Sequence, residues 1–346
     1  MKVVKQVLGV DVAQDELVVT LGRMFDDLSL ELYAHKVFKN TDKGFALLLE
    51  WVKKLTDQAV KVRFVMEATG VYHQKFAYHL DNYDYEVTIV LPNKISNYMR
   101  TLDTKTITDK TCSEAIARFG LERKLDLWKR PKKIYKNLQQ LTRERDQIVC
   151  ERVIVKNQLH AESAEAEPYE NCINRLNVRI QFLNQQEKEI KLDIVACIKQ
   201  DENLKQEIEN ICTIPGVGEL TATIVLAETN GFELIRNKRQ LVSYAGLDVK
   251  EKLSGTSVKG KARISKRGNR NLRKALYLPS LSTVKWDENF KKKYVDIVSR
   301  GGIKMKALIA IQRKLLELIY TVHKNKSVYD KDYESNKKNR VQVINT

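Results

Sequence analysis

The stretch Val3-Val4-Lys5-Gln6-Val7-Leu8-Gly9-Val10-Asp11-Val12 decides how the amino-terminal part of this 346-residue chain folds. It is an apolar, valine-rich strand with a carboxylate near its carboxyl end. Working outward, Leu17 to Arg23 reads as its hairpin partner and Glu31 to Phe38 as a third strand. Asn40 or Thr41 then caps a helix carrying Phe45, Leu48, Leu49 and Val52. Val62 to Met66 gives another strand, Tyr72 to Leu80 a short helix, and Glu86 to Leu91 a fifth strand ending at Pro92. Strands alternating with helices imply a sheet with parallel members, so residues 1–130 are predicted to be an α/β domain.

Between Pro131 and Gln200 glycine is absent and Pro168 is the one internal proline. Two long helices broken near Pro168 fit this composition. In the second, a heptad register puts Ile173, Leu176, Ile180, Leu183, Ile190, Ile194 and Cys197 at core positions, with Glu187 out of pattern. Residues 131–200 are therefore expected to form a helical hairpin or coiled-coil arm. Such an arm is either a spacer packed on its own chain or an oligomerisation element, and the apolar seam fits both.

Residues 201–330 form the third expected domain, mainly helical, followed by a polar tail at 331–346. The run Ile214-Pro215-Gly216-Val217-Gly218 precedes the apolar helix Leu220 to Ala227. Its glycines make a helix-hairpin-helix type of signal, whose bare backbone N–H groups can approach a phosphate; alternatively they simply close a helix turn. Beyond it, Arg236 to Lys274 holds thirteen lysines and arginines against Asp248 and Glu251 alone. Interleaved Gly255, Gly260 and Gly268 with Ser254, Thr256, Ser257 and Ser265 suggest a loop-rich surface that contacts phosphates.

The whole chain carries a formal net charge of +17, which attracts polyanions, nucleic acid first among them. No run approaches the roughly 18 apolar residues of a membrane span, and no signal segment opens the chain, so a soluble cytoplasmic protein is expected. Cys112, Cys150, Cys172, Cys197 and Cys212 are widely spaced without a CxxC pair, and are expected to be reduced, mostly buried thiols.

Two chemistries are legible. Asp11 and Glu67 end strands, and Asp109 starts a later helix; carboxylates so placed would suit Mg²⁺, which two-metal nucleases use on attacking and leaving oxygens. The competing reading has Asp11 and Glu67 capping turns or pairing with Lys and Arg at the sheet rim. The second chemistry is a hydroxyl: Ser254 opens Ser254-Gly255-Thr256-Ser257-Val258-Lys259-Gly260 within the densest positive charge. There it either attacks a phosphodiester or only binds phosphate. The residues alone do not favour Ser254 over Ser257 or Ser265.

Taken together, these pieces resemble the DEDD transposases of insertion sequences, the Piv-like IS110 family. The matching motifs are Leu8-Gly9-Val10-Asp11, Met66-Glu67-Ala68-Thr69-Gly70-Val71-Tyr72, Leu91-Pro92-Asn93, Ile214-Pro215-Gly216-Val217-Gly218, Tyr244-Ala245-Gly246-Leu247, the Ser254 stretch, Ile264-Ser265-Lys266-Arg267-Gly268-Asn269 and Arg273-Lys274-Ala275-Leu276-Tyr277. The resemblance implies an RNase H/RuvC-like amino-terminal domain and a carboxy-terminal transposase domain. It implies metal-binding acids at Asp11, Glu67 and Asp109 and a nucleophilic serine at Ser254. It further implies Mg²⁺-dependent strand exchange on donor and target double-stranded DNA, an element-encoded guide (bridge) RNA, and a homo-oligomer in which dimers assemble to a tetramer. One departure stands out: Cys112 occupies the place of the family's fourth acid, and a thiol is a poor Mg²⁺ ligand. Either Glu114 replaces it with its longer side chain, or three acids and water hold the metal.

The rival readings are a RuvC-like junction endonuclease using metal-activated water, a non-catalytic nucleic-acid-binding protein with structural acids, and an actin-like kinase. The kinase would need Gly-rich phosphate loops between its strands, which the sequence lacks.

Overall fold

Strand β1 (Val3–Val12) lies at the centre of a five-stranded sheet of order β3-β2-β1-β4-β5. β2 (Glu16–Phe25) and β3 (Leu30–Lys39) continue from it as an antiparallel meander. β4 (Val62–Glu67) and β5 (Glu86–Val90) join the other side in parallel. The computed structural model describes residues 1–68, 70–102, 106–233, 235–250, 253–254, 258–259 and 263–332. The chain divides into two units, Met1–Arg130 and Pro131–Thr346.

Period-2 alternation along β1 gives the sheet two different faces. Leu8, Val10 and Val12 point to one, where they pack with Phe45 and Leu48 of α1 (Asp42–Leu55) and Phe76 and Leu80 of α2 (His73–Asn82). Val7 points to the other, clustering with Val65, Val90, Ile95 of α3 (Pro92–Met99), and Ile116 and Leu121 of α4 (Asp109–Glu122). Thr41 is the cap of α1, accepting from the Gly44 N–H at 3.3 Å, while Asn40 turns inward and donates to Ala13 O at 2.9 Å. Pro92, read from sequence as a strand terminator, is also the first residue of α3, where its missing N–H costs nothing.

In the second unit α5 (Lys133–Ser163) and α6 (Glu170–Lys199) lie antiparallel, as the pairings Arg145–Glu187 and Arg152–Asn184 require. Leu176, Leu183, Ile190, Ile194 and Cys197 are buried along the seam, and Ile180 packs against it half-buried. Glu187, the residue out of heptad pattern, is buried among Arg145, Arg152 and Lys191. The hairpin shares one apolar cluster with α7 (Glu202–Cys212), α8 (Glu219–Thr229), α9 (Lys238–Ala245), α10 (Arg270–Ala275) and α13 (Lys304–Asn325). The unit also contains α11 (Tyr277–Trp286) and α12 (Glu288–Gly301). Between α9 and α10, β6 (Val249–Lys250) pairs with β9 (Arg263–Ile264), and β7 (Leu253–Ser254) with β8 (Val258–Lys259).

The turn from α7 to α8 packs on α11. Gly216 has φ +88°, and a Cβ there would sit 2.6 Å from the Thr283 nitrogen, while Thr283 donates its hydroxyl to Pro215 O at 2.8 Å. The thiols need a correction: all five are free, but only Cys197 is buried and Cys150 is exposed. Ile148 and Val155, seven apart, take the inward positions of α5 and turn Cys150 outward. No helix among the described residues is long and apolar enough to cross a membrane.

Candidate functional site

Parallel pairing of β1 with β4 matches Gly9 to Val65 and Val10 to Met66, so one further step along the register sets Asp11 beside Glu67. Asp11 is two residues from Gly9 and therefore shares its face. That face is covered by α4, and Gly9 is the reason α4 lies so close: an added Cβ would be 2.3 Å from Ala117 N and 2.4 Å from Ser113 O. Further along α4, Gly120 fits over Val7 and Val65 in the same manner. The helix thus runs back along β1, from Gly120 above Val7, past Ser113 and Ala117 above Gly9, to its first turn in the neighbourhood of Asp11. Thr108 and Thr111 close that turn as a reciprocal cap, with Asp109 as its first helical residue.

Electrostatics agree with this placement. Burial, then the negative charges of Asp109 and Glu67, push the Asp11 carboxyl up to about 6, against an opposing bond from the Val12 backbone. Like charges act in this way only at short range. Cys112 lies one turn from Asp109, and its thiol is pushed up by burial and by Asp11, Glu67 and Asp109 in turn. A neutral thiol therefore stands where a fourth carboxylate was expected. Glu114 does not replace it: five residues on from Asp109 it is rotated by about 140° around the helix, and it faces Lys110 at 3.9 Å. The donors are hard oxygens that suit a divalent cation such as Mg²⁺. As placed, however, the described residues gather no three side chains into a ligand set.

The second candidate site lies in the other unit. Ser254 is described through the backbone of β7, paired with Val258; Ser257 lies outside the described residues. Ser265 is engaged, donating its hydroxyl to Asp248 Oδ1 at 2.5 Å at the foot of the β6–β9 pair. Below it the two limbs of the segment meet closely. A Cβ on Gly268 would lie 2.4 Å from Tyr244 O, and Gly246 has φ +68°. Arg273 Nη1 donates to Ala245 O at 2.7 Å and to Gly268 O at 3.2 Å.

Sequence reading missed the residue beneath this junction. Glu228 lies in the last turn of the apolar helix α8 with no exposed side-chain surface, bound by Arg143, Asn269 and Asn271. The only signal was an acid directly after an apolar helical run. Burial alone would push its carboxyl up, but those three partners hold it below its ordinary value.

An acid-lined α/β unit followed by a basic helical unit has matching counterparts. Residues 8–162 match a family model for a DEDD transposase of IS110 type, and residues 208–295 match the model of the transposase IS116/IS110/IS902 family. The pilin gene-inverting protein of Moraxella bovis is 26% identical over 330 residues, covering 94% of this chain and 98% of that protein. The transposase for insertion sequence element IS1328 of Yersinia enterocolitica is 24% identical over 230 residues, covering 58% and 64%. Among solved structures, Thermus thermophilus RuvC in complex with a Holliday junction substrate aligns over 36% of this chain and 99% of its own, at 10% identity and a TM-score of 0.27. Two transposase models matched in order along the chain, with a relative aligned over nearly its whole length, define a transposase. It belongs to the IS110 family of DEDD transposases.

Proposed function

We propose that this transposase excises and inserts a mobile element by strand exchange on double-stranded DNA, with Asp11, Glu67 and Asp109 as the metal-holding acids and Ser254 as the nucleophile. The observation that carries the metal half is the β1–β4 register, which sets Asp11 beside Glu67 on the face that α4 covers, with the Asp11 carboxyl pushed up by burial and then by the charges of Asp109 and Glu67: carboxylates crowded in this way are what a bound cation would neutralise. Magnesium held by these three would stabilise the charge developing on attacking and leaving oxygens. The chain's own acids fix the site, and Cys112 contributes a neutral wall rather than a ligand.

The Ser254 hydroxyl would attack the scissile phosphodiester, joining its oxygen to phosphorus and releasing a deoxyribose hydroxyl. Lysines and arginines of 236–274 would hold the DNA backbone or an element-encoded guide RNA. At the start of α8, a Cβ on Gly218 would meet nothing within 4 Å, leaving the backbone open to a phosphate in the helix-hairpin-helix manner. The α5–α6 hairpin is the proposed oligomerisation arm, with dimers assembling to a tetramer.

The test is to incubate the protein and Mg²⁺ with a duplex carrying the element's joined ends and a transcript of its flanking non-coding stretch. A denaturation-resistant protein–DNA adduct should form and be lost in Ser254→Ala and Asp11→Asn. Cleavage that survives Ser254→Ala without an adduct would replace the serine with metal-activated water.

A further inference from the structure

Both limbs of the segment that carries Ser254 are tied to a single residue outside it. Tyr244, in α9 on the leading limb, donates its hydroxyl to the backbone carbonyl of Glu228 at 2.9 Å. On the trailing limb Asn269 donates Nδ2 to Glu228 Oε2 at 2.7 Å, and Asn271 donates Nδ2 to Oε1 at 2.8 Å. From the other side, Arg143 of α5 grips the same carboxylate with Nε to Oε1 at 2.7 Å and Nη2 to Oε2 at 2.8 Å. Gln139 adds a longer bond to Oε2 at 3.4 Å. Four side chains from α5 and the trailing limb thus converge on a carboxylate with no exposed side-chain surface.

An apolar residue would satisfy α8 better at this position, because the preceding Val225, Leu226 and Ala227 are buried in the apolar cluster and a buried carboxylate is costly without partners. What the acid adds is connection. Its fixed oxygens take one bond from each of two asparagines that follow shortly after β9 ends at Ile264. The limbs already touch at this point, where the Asn269 N–H donates to Tyr244 O at 2.7 Å.

We propose that Glu228 is the positioning residue of the serine segment, its carboxylate and carbonyl clasping both limbs to helix α5 so that Ser254 is presented in one orientation. It touches neither DNA nor the reacting atoms. The proposal rests on the reading of Ser254 as nucleophile.

The test uses the full chain with the joined-ends duplex and flanking transcript, and three variants: Glu228→Gln, Asn269→Asp and the two combined. Glu228→Gln removes the charge that Arg143 and the asparagines grip. Asn269→Asp keeps the cap of α10, since Asp caps as well as Asn, but sets a second carboxylate against Glu228. Each single change should slow adduct formation by ~10-fold or more, the loss expected from a broken charge-assisted bond, with duplex affinity unchanged and the protein still folded at the assay temperature. The double variant should recover much of the rate, because the amide introduced at 228 can donate to the carboxylate introduced at 269. Wild-type rates in both single variants, or a double variant no faster than either, would overturn the clasp. Should Glu228→Gln fail to fold, Arg143→Lys takes its place, keeping the charge while losing the two-pronged fork.

If the wild-type protein forms no Ser254-dependent adduct, the serine reading falls and amide hydrogen exchange judges the clasp. Faster exchange at Gly246, Ser265 and Asn269 in Glu228→Gln, beyond what any change in global unfolding accounts for, would uphold it; no such local change would overturn it.

Discussion

Thr20 on β2 and Ser113 on α4 share a 2.8 Å hydrogen bond between two buried hydroxyls, one turn along α4 from Asp109. Its direction follows from the neighbours. Ser113 donates to Lys110 O at 2.8 Å, so it accepts from Thr20, and Thr20 in turn accepts from His35 Nδ1 at 3.2 Å. The chain of bonds fixes the first turn of α4 to the sheet at the height of the acid cluster.

Thr20→Val keeps the shape and removes the bond, leaving Ser113 Oγ with one partner fewer. A loss of about 1–2 kcal/mol in urea unfolding is expected. The Mg²⁺ concentration for half-maximal DNA cleavage should rise as Asp109 loosens, and so should the Mg²⁺ concentration that protects the protein against heat. A variant with lower stability but unchanged Mg²⁺ dependence would separate this bond from the cluster.

Gly9→Ala puts a methyl where Ala117 N already stands at 2.3 Å. Backbone atoms of a helix cannot give way singly, so α4 must shift as a whole. Overpacking of this kind costs about 1–3 kcal/mol. Cleavage should fall further than stability does, since the first turn of α4 carries Asp109; comparing urea midpoints with cleavage rates checks this.

Much of the first unit was legible because its signals are local. The alternation in Val3–Val12 fixes which side chains share a face, and Asp11 and Glu67 each stand at the end of their own apolar run. The covering of that face was not legible: Gly9 and Gly120 matter only once α4 lies above them. In the second unit Glu187 was visible as a break in the heptad but not as a buried ion cluster, since Arg145 and Arg152 come from a helix about 40 residues away in sequence. Glu228 was invisible for the same reason: its partners Arg143, Asn269 and Asn271 come from two distant segments.

Glu187 sets an acid limit on the hairpin. Burial pushes its carboxyl up, but bonds from Lys191, Arg152 and Arg145 prevail and hold it down to about 2. A group depressed in the folded state lends stability that is present above its unfolded pKa and lost as pH falls through its folded one. The window is therefore from about 4.5 down to about 2, and the effect is on the order of 3 kcal/mol. Thermal unfolding against pH should show this slope in the wild type and a shallower one in Glu187→Gln.

Basic residues in the two regions differ in what they already hold. In 131–160, Arg143 is committed to Glu228 and Arg145 and Arg152 to Glu187. In the described part of 236–274, Arg239, Lys266, Arg267 and Arg270 are exposed. Neutralising Lys266 and Arg267 should flatten the salt dependence of duplex binding by about one unit per lost phosphate contact. Neutralising exposed cations in 131–160, such as Lys133 and Lys156, should flatten it less; equal effects would argue against a localised surface.

The two proposed chemistries depend on each other. A serine hydroxyl among lysines and arginines gains electrostatic help, but charged cations accept no proton, so attack at phosphorus needs a further group to stabilise the alkoxide. A metal held by Asp11, Glu67 and Asp109 would supply this, yet Asp11 and Ser254 belong to different units of the chain. If the working site joins Asp11, Glu67 and Asp109 of one subunit to Ser254 of another, mixing Ser254→Ala subunits with Asp11→Ala subunits leaves some sites with both functions intact. Recombination should then reappear in mixtures although neither variant is active alone. It should peak near equal proportions and vanish when both changes are placed on one chain and mixed with either single variant. Mixed assemblies that fold and bind DNA yet stay inactive at every ratio would mean that each subunit completes its own site, with Ser254 brought to Asp11 within a single chain.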